Sequence, residues 1–175
     1  MGLWIDNNSS IVSGARILHF APEPSVASLC KSHSSEYHSA DLTPGRADTV
    51  LNIESIELPD ESVDVVVCSH VLEHVDDVRA LDEIYRILTP GGRALLMFPI
   101  VEGWEHTYEN PAHTSRADRT KYFGQFNHLR MFGRDVRDRI TNAGFALAEF
   151  TAEEPEVARY GLIRGEKLFV ATKLV

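Results

Sequence analysis

Apolar positions along the chain alternate between short β-branched runs and longer stretches with helical spacing. The clearest run, SVDVVVCS at residues 62–69, is typical of a parallel strand that is covered on both faces. Shorter runs predict six further strands, at residues 16–20, 37–41, 49–53, 93–100, 145–151 and 167–173. The run at 62–69 should therefore lie near the centre of a sheet.

Helices are predicted between these strands, where apolar residues recur every three or four positions. The strongest helical pattern lies at residues 77–88 and ends at the TPGG turn. Its predicted apolar face consists of Val78, Leu81, Tyr85 and Leu88. Arg79 and Glu83 are spaced to form an ion pair on the exposed side. Two further helices are predicted at residues 25–32 and 134–143, the second ending at Gly144.

The order of these elements predicts one α/β domain over residues 1–175. Alternating strands and helices followed by two consecutive strands indicate a mostly parallel seven-stranded sheet, with helices on both faces and one antiparallel strand. Residues 1–15 are a polar lead-in, and residues 101–133 form an unusually long connection, expected to cover a binding site and to contain a helix from about Ser115. In such sheets a ligand binds beyond the carboxyl ends of the strands, where the strand order reverses.

Composition narrows the possible partners. With 17 Lys and Arg residues against 26 Asp and Glu residues, the chain has a formal net charge of -9, which argues against a nucleic-acid partner. No signal peptide and no apolar run of membrane-spanning length are found, so we expect a cytoplasmic protein without a membrane partner. The two cysteines are expected to be reduced thiols.

Two long blocks of sequence resemble a known family. They are LPDESVDVVVCSHVLEHV at residues 58–75 and LDEIYRILTPGGRALLMFPI at residues 81–100, and Asp41 closes the second strand. Over about residues 16–173 the chain resembles the class I S-adenosylmethionine-dependent methyltransferases, specifically the type 11 group. The resemblance implies a Rossmann-like fold, S-adenosyl-L-methionine as cofactor, and a small-molecule acceptor such as a sugar or natural-product intermediate. A monomer or homodimer is expected.

The first turn departs from the family pattern. The family's Gly-x-Gly-x-Gly motif would fall on Ala21, Glu23 and Ser25, and its preceding acid on His19. One branch of these methyltransferases is similar to this chain in having His-Phe-Ala-Pro-Glu here and a later Phe-Gly-Gln-x-x-His-x-Arg block, found at residues 123–130. The turn is therefore interpreted as a variant, and the alternative is a non-catalytic partner subunit that keeps the fold.

The chemistry of the cofactor fits such a variant, because S-adenosylmethionine carries an ammonium group and no phosphate. Glu23 is predicted to pair with this ammonium, and Pro22 and Pro24 to fix the turn through their restricted φ. The alternative is that Glu23 only complements the positive end of the first helix. The predicted cofactor-binding residues are Phe20, Ala21, Pro22, Glu23, Asp41, Asn52, Ile53, Ser69 and His70.

Two of these residues have predicted polar partners on the nucleoside. Asp41 is expected to accept hydrogen bonds from the ribose hydroxyls, although an Asx turn before Thr43 would satisfy it equally well. Asn52 stands where the family usually has an acid, and its amide could bind the edge of the base. Ile53 is expected to pack on the adenine or simply to belong to the core.

The sequence HVLEH at residues 70–74 matches the inverted zinc-peptidase pattern H-x-x-E-H. Two histidines four positions apart share a metal only on a helix, and here the motif directly follows a strand. No metal is therefore expected. Glu73 and His74 are predicted to cap and orient the following helix, and Ser69 and His70 to line the cofactor.

The acceptor site is predicted to lie under residues 101–133, which combine aromatic and cationic side chains. Transfer to a hydroxyl or amine requires removal of a proton, for which histidine is suited. His128 is the first candidate for general base and His70 the second, with Arg130 and Tyr122 orienting the acceptor. Alternatively, the histidines and arginines bind an anionic group on the acceptor.

Overall fold

The computed structural model describes all 175 residues and contains nine strands and six α-helices. The strands are β1 (Arg16–Phe20), β2 (Glu36–Asp41), β3 (Thr49–Val50), β4 (Val63–Ser69), β5 (Leu88–Met97), β6 (Tyr108–Glu109), β7 (Arg130–Met131), β8 (Phe145–Thr151) and β9 (Lys167–Lys173). The helices are α1 (Gly2–Asn7), α2 (Pro24–His33), α3 (Asp77–Ile87), α4 (Arg116–Phe123), α5 (Val136–Asn142) and α6 (Glu156–Tyr160).

The main sheet has seven strands in the order β3-β2-β1-β4-β5-β9-β8. The strands from β3 to β5 are parallel, and β9 runs antiparallel to both of its neighbours. The predicted fold class and the hairpin of the last two strands are therefore confirmed, with the antiparallel strand one position in from the edge. The strand order reverses between β1 and β4, which is where a ligand is expected in such sheets.

Strand β4 is buried on both faces, as its β-branched run predicts. Val66 and Cys68 face the larger core, which includes residues of α3 and α5. Val65 and Val67 face the smaller core, which includes residues of α1 and α2. Because successive side chains of a strand point to opposite faces, one apolar run serves both cores.

The polar lead-in forms structure that the sequence pattern did not predict. Helix α1 is followed by a 3₁₀ turn at Ser9–Ile11, and Ile5 and Val12 are fully buried in the smaller core. The few apolar side chains of this segment are enough to close the sheet face beside α2, although their spacing is too sparse to predict a helix.

Two predicted element boundaries are corrected by the structure. Strand β3 ends at Val50, three residues before its predicted end, and Ile53 is then buried in the larger core. Strand β5 begins at Leu88, so the TPGG turn lies within it and Leu88 does not belong to the helix.

The buried face of α3 also differs from the prediction. Val78 is 54% exposed, and the buried residues are Asp77, Ala80, Leu81, Ile84 and Ile87. The helix turns Asp77 inward because Arg130 and Arg139 neutralise its carboxylate, at 2.8 and 3.0 Å. The predicted ion pair of Arg79 with Glu83 does not form, since Arg79 lies near Asp76 and Glu83 binds Arg86.

The long connection over residues 101–133 is an ordered excursion that is closed at its base. Strands β6 and β7 pair antiparallel, and α4 lies between them with Ser115 as its N-cap, as predicted. At the base, Asp135 accepts hydrogen bonds from the Thr107 backbone N–H and hydroxyl, at 2.8 and 2.6 Å. A Cβ atom on Gly133 would lie 2.5 Å from the carbonyl carbon of His106, so only glycine allows this contact.

Candidate functional site

A cleft of about 280 Å³ opens at the carboxyl ends of β1, β2 and β4, at the point where the strand order reverses. Its lining residues are Phe20, Ala21, Ala40, Asp41, Leu42, Leu51, Asn52, Ile53, His70, Val71, His74, Val75 and Asn127. Six predicted cofactor residues are among them: Phe20, Ala21, Asp41, Asn52, Ile53 and His70. Pro22, Glu23 and Ser69 do not line the cleft, although Pro22 and Ser69 are next to lining residues in the chain.

The turn after β1 keeps a left-handed backbone without glycine. Ala21 has a φ of 47°, and its N–H donates to the Ala40 carbonyl at 2.8 Å. A residue with a Cβ pays roughly 1–2 kcal/mol for this conformation. Such strain is common at binding sites, where the surrounding structure enforces it. The following Pro24 occupies the first turn of α2, so a proline and a strained alanine together shape the turn.

A buried histidine orients the carboxylate of Glu23 at the N-cap position of α2. His19 is fully buried, donates from Nε2 to Glu23 at 3.1 Å and accepts the Tyr37 hydroxyl at Nδ1, at 3.0 Å. Partial burial raises the pKa of the Glu23 carboxyl, but His19 and the nearby Ser69 hydroxyl lower it by more. The Ser69 hydroxyl, although near this carboxylate, has no partner within hydrogen-bond geometry. Glu23 is thus an oriented anion with capacity for one more donor.

Asp41 and Asn52 each use one polar atom for the local fold and keep the other for a ligand. Asp41 Oδ1 accepts the N–H of Thr43 at 2.7 Å, which forms the Asx turn that was the alternative for this residue. Asn52 Oδ1 accepts the N–H of Glu54 at 3.0 Å. Asp41 Oδ2 and the Asn52 amide group therefore remain without protein partners at the cleft.

His70 directly follows β4 in a left-handed conformation, with a φ of 54° and its N–H donating to the Met97 carbonyl at 2.7 Å. Its half-exposed ring lines the cleft, and Nδ1 lies 3.4 Å from Oε1 of Glu73. This carboxylate raises the pKa of His70, although partial burial lowers it. The ring atoms of His70 other than Nδ1 thus remain free toward the cleft, and the Glu73 carboxylate lies beside Nδ1.

The segment after His70 forms a 3₁₀ turn over Leu72–His74, so the H-x-x-E-H pattern does not lie on an α-helix. Glu73 and His74 do not cap α3, contrary to prediction, because Asp76 is the N-cap and accepts the N–H of Arg79. Glu73 is instead 2% exposed inside the protein, and His74 lines the cleft.

His128 lies behind this turn and does not line the cleft. Its ring packs edge-on against His74, with 4.7 Å between ring centres, and its Nδ1 binds the Phe123 carbonyl at 3.0 Å. Burial, together with the neighbouring His74, lowers the pKa of His128. The structure therefore brings His128 to the site through His74.

Arg130 and Tyr122 do not line this cleft, and their predicted role of orienting the acceptor stays a prediction. Arg130 is buried, pairs with Asp77 and with Glu109, at 2.8 and 2.9 Å, and donates to the carbonyls of Leu72 and Val75. Nη1 of Arg130 therefore fixes residues 72–75. The Tyr122 ring stacks on His113, with 3.9 Å between ring centres.

Sequence reasoning did not assign seven of the lining residues to the cleft: Ala40, Leu42, Leu51, Val71, His74, Val75 and Asn127. Asn127 belongs to the block at residues 123–130 that the family resemblance singled out, and this block was the available signal. Across the whole chain, no helix combines the length and the apolar character that crossing a membrane requires.

Comparisons with known proteins agree with this geometry. Residues 8–96, half of the chain, match the model of a family described as "Methyltransferase domain". A curated Mycolicibacterium smegmatis protein, described as a probable S-adenosylmethionine-dependent methyltransferase, is 40% identical over 67 residues, or 36% of this chain. The match spans only 26% of that relative's length.

Solved structures share the fold over almost the whole chain. A Mesorhizobium loti S-adenosylmethionine-dependent methyltransferase has a TM-score of 0.65 at 17% identity, covering 98% of this chain and 97% of that one. The [4+2]-cyclase SpnF has a TM-score of 0.69 at 13% identity, covering 99% and 81%. With its family match and its confirmed sheet order, the chain belongs to the class I S-adenosylmethionine-dependent methyltransferases.

Proposed function

We propose that this protein transfers a methyl group from S-adenosylmethionine to a small-molecule acceptor, with a sugar or natural-product intermediate as the acceptor class. The observation that carries the proposal is the cleft at the switch point of the sheet, whose rim presents unpaired polar atoms of Asp41 and Asn52 beside the ring of His70. The acceptor class rests on the family resemblance.

The residues around the cleft fit the cofactor. The left-handed turn at Ala21 provides the backbone shape that the family obtains from glycine, and the oriented Glu23 carboxylate suits an ammonium. Asp41 Oδ2 would hold the ribose hydroxyls and the Asn52 amide the base edge, with Ile53 as apolar packing. When bound, the cofactor supplies an electrophilic methyl group on its sulfonium.

On the acceptor side, His70 is the better candidate for general base. Its ring is half exposed at the cleft, and Glu73 stands behind Nδ1 at 3.4 Å, the arrangement of a base oriented by a third group. His128, the first candidate from the sequence, has no surface on the cleft and is instead proposed to act behind His74. The main task of the site is to hold the acceptor in line with the methyl group.

The first test is calorimetric titration with S-adenosylhomocysteine. We expect wild-type protein to bind, and Asp41→Ala to bind at least roughly tenfold more weakly, because a charge-assisted hydrogen bond contributes about 1.5–3 kcal/mol. Asp82→Ala changes an exposed acid of α3 and serves as the matched control. Absence of wild-type binding at millimolar ligand would overturn the proposal in favour of a non-catalytic subunit.

Binding alone does not establish methyl transfer, since a cyclase shares this fold. Turnover is followed as release of S-adenosylhomocysteine with a panel of hydroxyl-bearing acceptors. His70→Ala should keep the affinity for S-adenosylhomocysteine and lose turnover. An unchanged rate would remove His70 from the proposed chemistry.

A further inference from the structure

We propose that Glu73, His74 and His128 form a binding site for one divalent transition-metal ion beside the cleft. One candidate ligand atom from each residue lies within 4.8 Å of the others. The set differs from the H-x-x-E-H pattern in the sequence, because His128 comes from the excursion and His70 is not a member. Binding of the ion does not depend on the proposed methyl transfer.

The first argument is the condition of the Glu73 carboxylate. Glu73 is 2% exposed, and its Oε2 has no hydrogen-bond partner in the protein. The only cationic neighbour of this carboxylate is the half-exposed His70, at 3.4 Å from Oε1. Burying a charged group without compensation is costly by several kcal/mol, and a bound cation removes this cost.

Unsatisfied buried oxygens occur on the segments that form this site and on the strand that leads into it. The buried side-chain atoms without a partner are Ser69 Oγ, Glu73 Oε2 and Asn127 Oδ1. Ser69 ends the strand that leads into the turn of Glu73, and Asn127 directly precedes His128 and lines the cleft. Native proteins rarely leave buried polar atoms unpaired, so these atoms indicate a region that is completed by a polar ligand.

The second argument is the tautomer of the two histidines. His74 Nδ1 lies 3.2 Å from the Asn127 carbonyl, and His128 Nδ1 lies 3.0 Å from the Phe123 carbonyl. A carbonyl oxygen only accepts, so both Nδ1 atoms carry the proton and both Nε2 atoms keep a lone pair. Metal-binding histidines are normally held this way, with the second nitrogen donating to a carbonyl or carboxylate.

The backbone holds the two segments of the site together. The N–H of Leu129 donates to the Glu73 carbonyl at 2.9 Å, and Arg130 donates to the carbonyls of Leu72 and Val75. Donor atoms bound at about 2.0–2.2 Å to one ion are roughly 3–3.5 Å apart. The widest separation, 4.8 Å, must therefore shorten by roughly 1.3–1.8 Å, which the half-buried His74 side chain allows.

Two histidines and one carboxylate are also a ligand set of catalytic type. Such sites keep coordination positions open for water or substrate, whereas structural zinc sites are filled by four protein ligands. Because His74 and Asn127 line the cleft, an open position on this side is accessible to an oxygen of the acceptor. This last use of the ion rests on the proposed function.

The test uses the full chain freed of metal by a chelator, with Zn²⁺ as the calorimetric probe and Co²⁺ for visible absorption. We expect one ion per chain and Co²⁺ bands of a histidine–carboxylate site. Glu73→Gln, which keeps the shape of the side chain, and His74→Ala should each weaken binding roughly tenfold to a hundredfold, by analogy with losses at metal sites. His38→Ala removes an exposed histidine that pairs with Glu36 and should change nothing.

Two results would overturn the metal site: no stoichiometric binding by wild type, or binding that survives both Glu73→Gln and His74→Ala. Metal-free Glu73→Gln provides a second readout, since replacing a buried carboxylate whose Oε2 has no partner with a neutral amide should raise its stability above that of metal-free wild type. Titration of the same samples with S-adenosylhomocysteine separates the two proposals, because cofactor affinity should persist in the chelated protein.

Discussion

The turn after β1 keeps the left-handed backbone expected of glycine, but its carboxylate stands at a different sequence position from the usual acid of the family. His19 occupies the place of the usual acid, and its ring orients the carboxylate of Glu23, four residues further along. Ala21 takes the left-handed conformation with a φ of 47°. A carboxylate is therefore still available near the end of β1, but it belongs to Glu23 in the turn and not to a residue of the strand.

The strain at Ala21 is measurable. Ala21→Gly should raise the free energy of unfolding by about 0.5–1 kcal/mol, because relief of roughly 1–2 kcal/mol of strain exceeds the added entropy of the unfolded chain. Urea denaturation measures the change. Glu61→Gly, at another left-handed residue away from the cleft, should give a smaller gain, because it also removes the ion pair with Lys173, and should not alter S-adenosylhomocysteine binding. A loss of stability in Ala21→Gly would show that the alanine methyl group contributes packing instead.

Residues that follow strands were predictable from the sequence, since parallel strands end at one edge. Phe20, Ala21, Asp41 and His70 reach the cleft for this reason. The approach of His128 to Glu73 was not predictable, because the contacts that bring the two segments together span 53 positions through a connection without periodicity.

At the scale of elements, the β6–β7 excursion is attached to the turn before α3 by charge. Arg130 of β7 binds Asp77 of α3 and Glu109 of β6, and it also holds the backbone carbonyls of the 3₁₀ turn. The hydrophobic periodicity predicted the ends of α3 to within one residue, but its prediction of the buried face was wrong. A buried aspartate counts as polar in any pattern, so the sequence could not reveal its partners.

Removal of the Arg130 side chain should strongly lower the stability of the protein. Arg130→Met should lower the free energy of unfolding by about 3 kcal/mol, because it leaves Asp77 and two backbone carbonyls short of partners. Arg134→Met, at an exposed arginine with one long hydrogen bond, should stay within about 0.5 kcal/mol. Chemical denaturation of both variants checks this, and equal effects would mean that the network contributes little.

For the molecule as a whole, the mostly parallel sheet and its layering followed from the alternation of elements. The strand order, and the ion pairs on which stability in acid depends, are revealed only by the structure. Asp64 of β4 accepts two hydrogen bonds from the Arg16 side chain and one from its backbone N–H, which joins β4 to the start of β1. The Arg16 guanidinium lowers the pKa of the Asp64 carboxyl to about 2, against partial burial.

The pH dependence of this pair has a definite sign. A depressed pKa adds stability above the unfolded value near 4, and this contribution disappears as the pH falls from about 4 to 2. Asp64→Asn should therefore lower the free energy of unfolding by about 1 kcal/mol at pH 7, given the partial exposure of the pair, and by less at pH 2. Asp82→Asn is the control in the same denaturation series, and a difference that grows toward low pH would contradict the assignment.

The closed base of the excursion has an evolutionary consequence. Because Gly133 touches the backbone of His106 and Asp135 fastens Thr107, the junction tolerates little variation. Residues 110–122 lie beyond this junction and include none of the residues that line the cleft. Substitutions in this tip are therefore expected to accumulate in evolution without disturbing the sheet or its cleft.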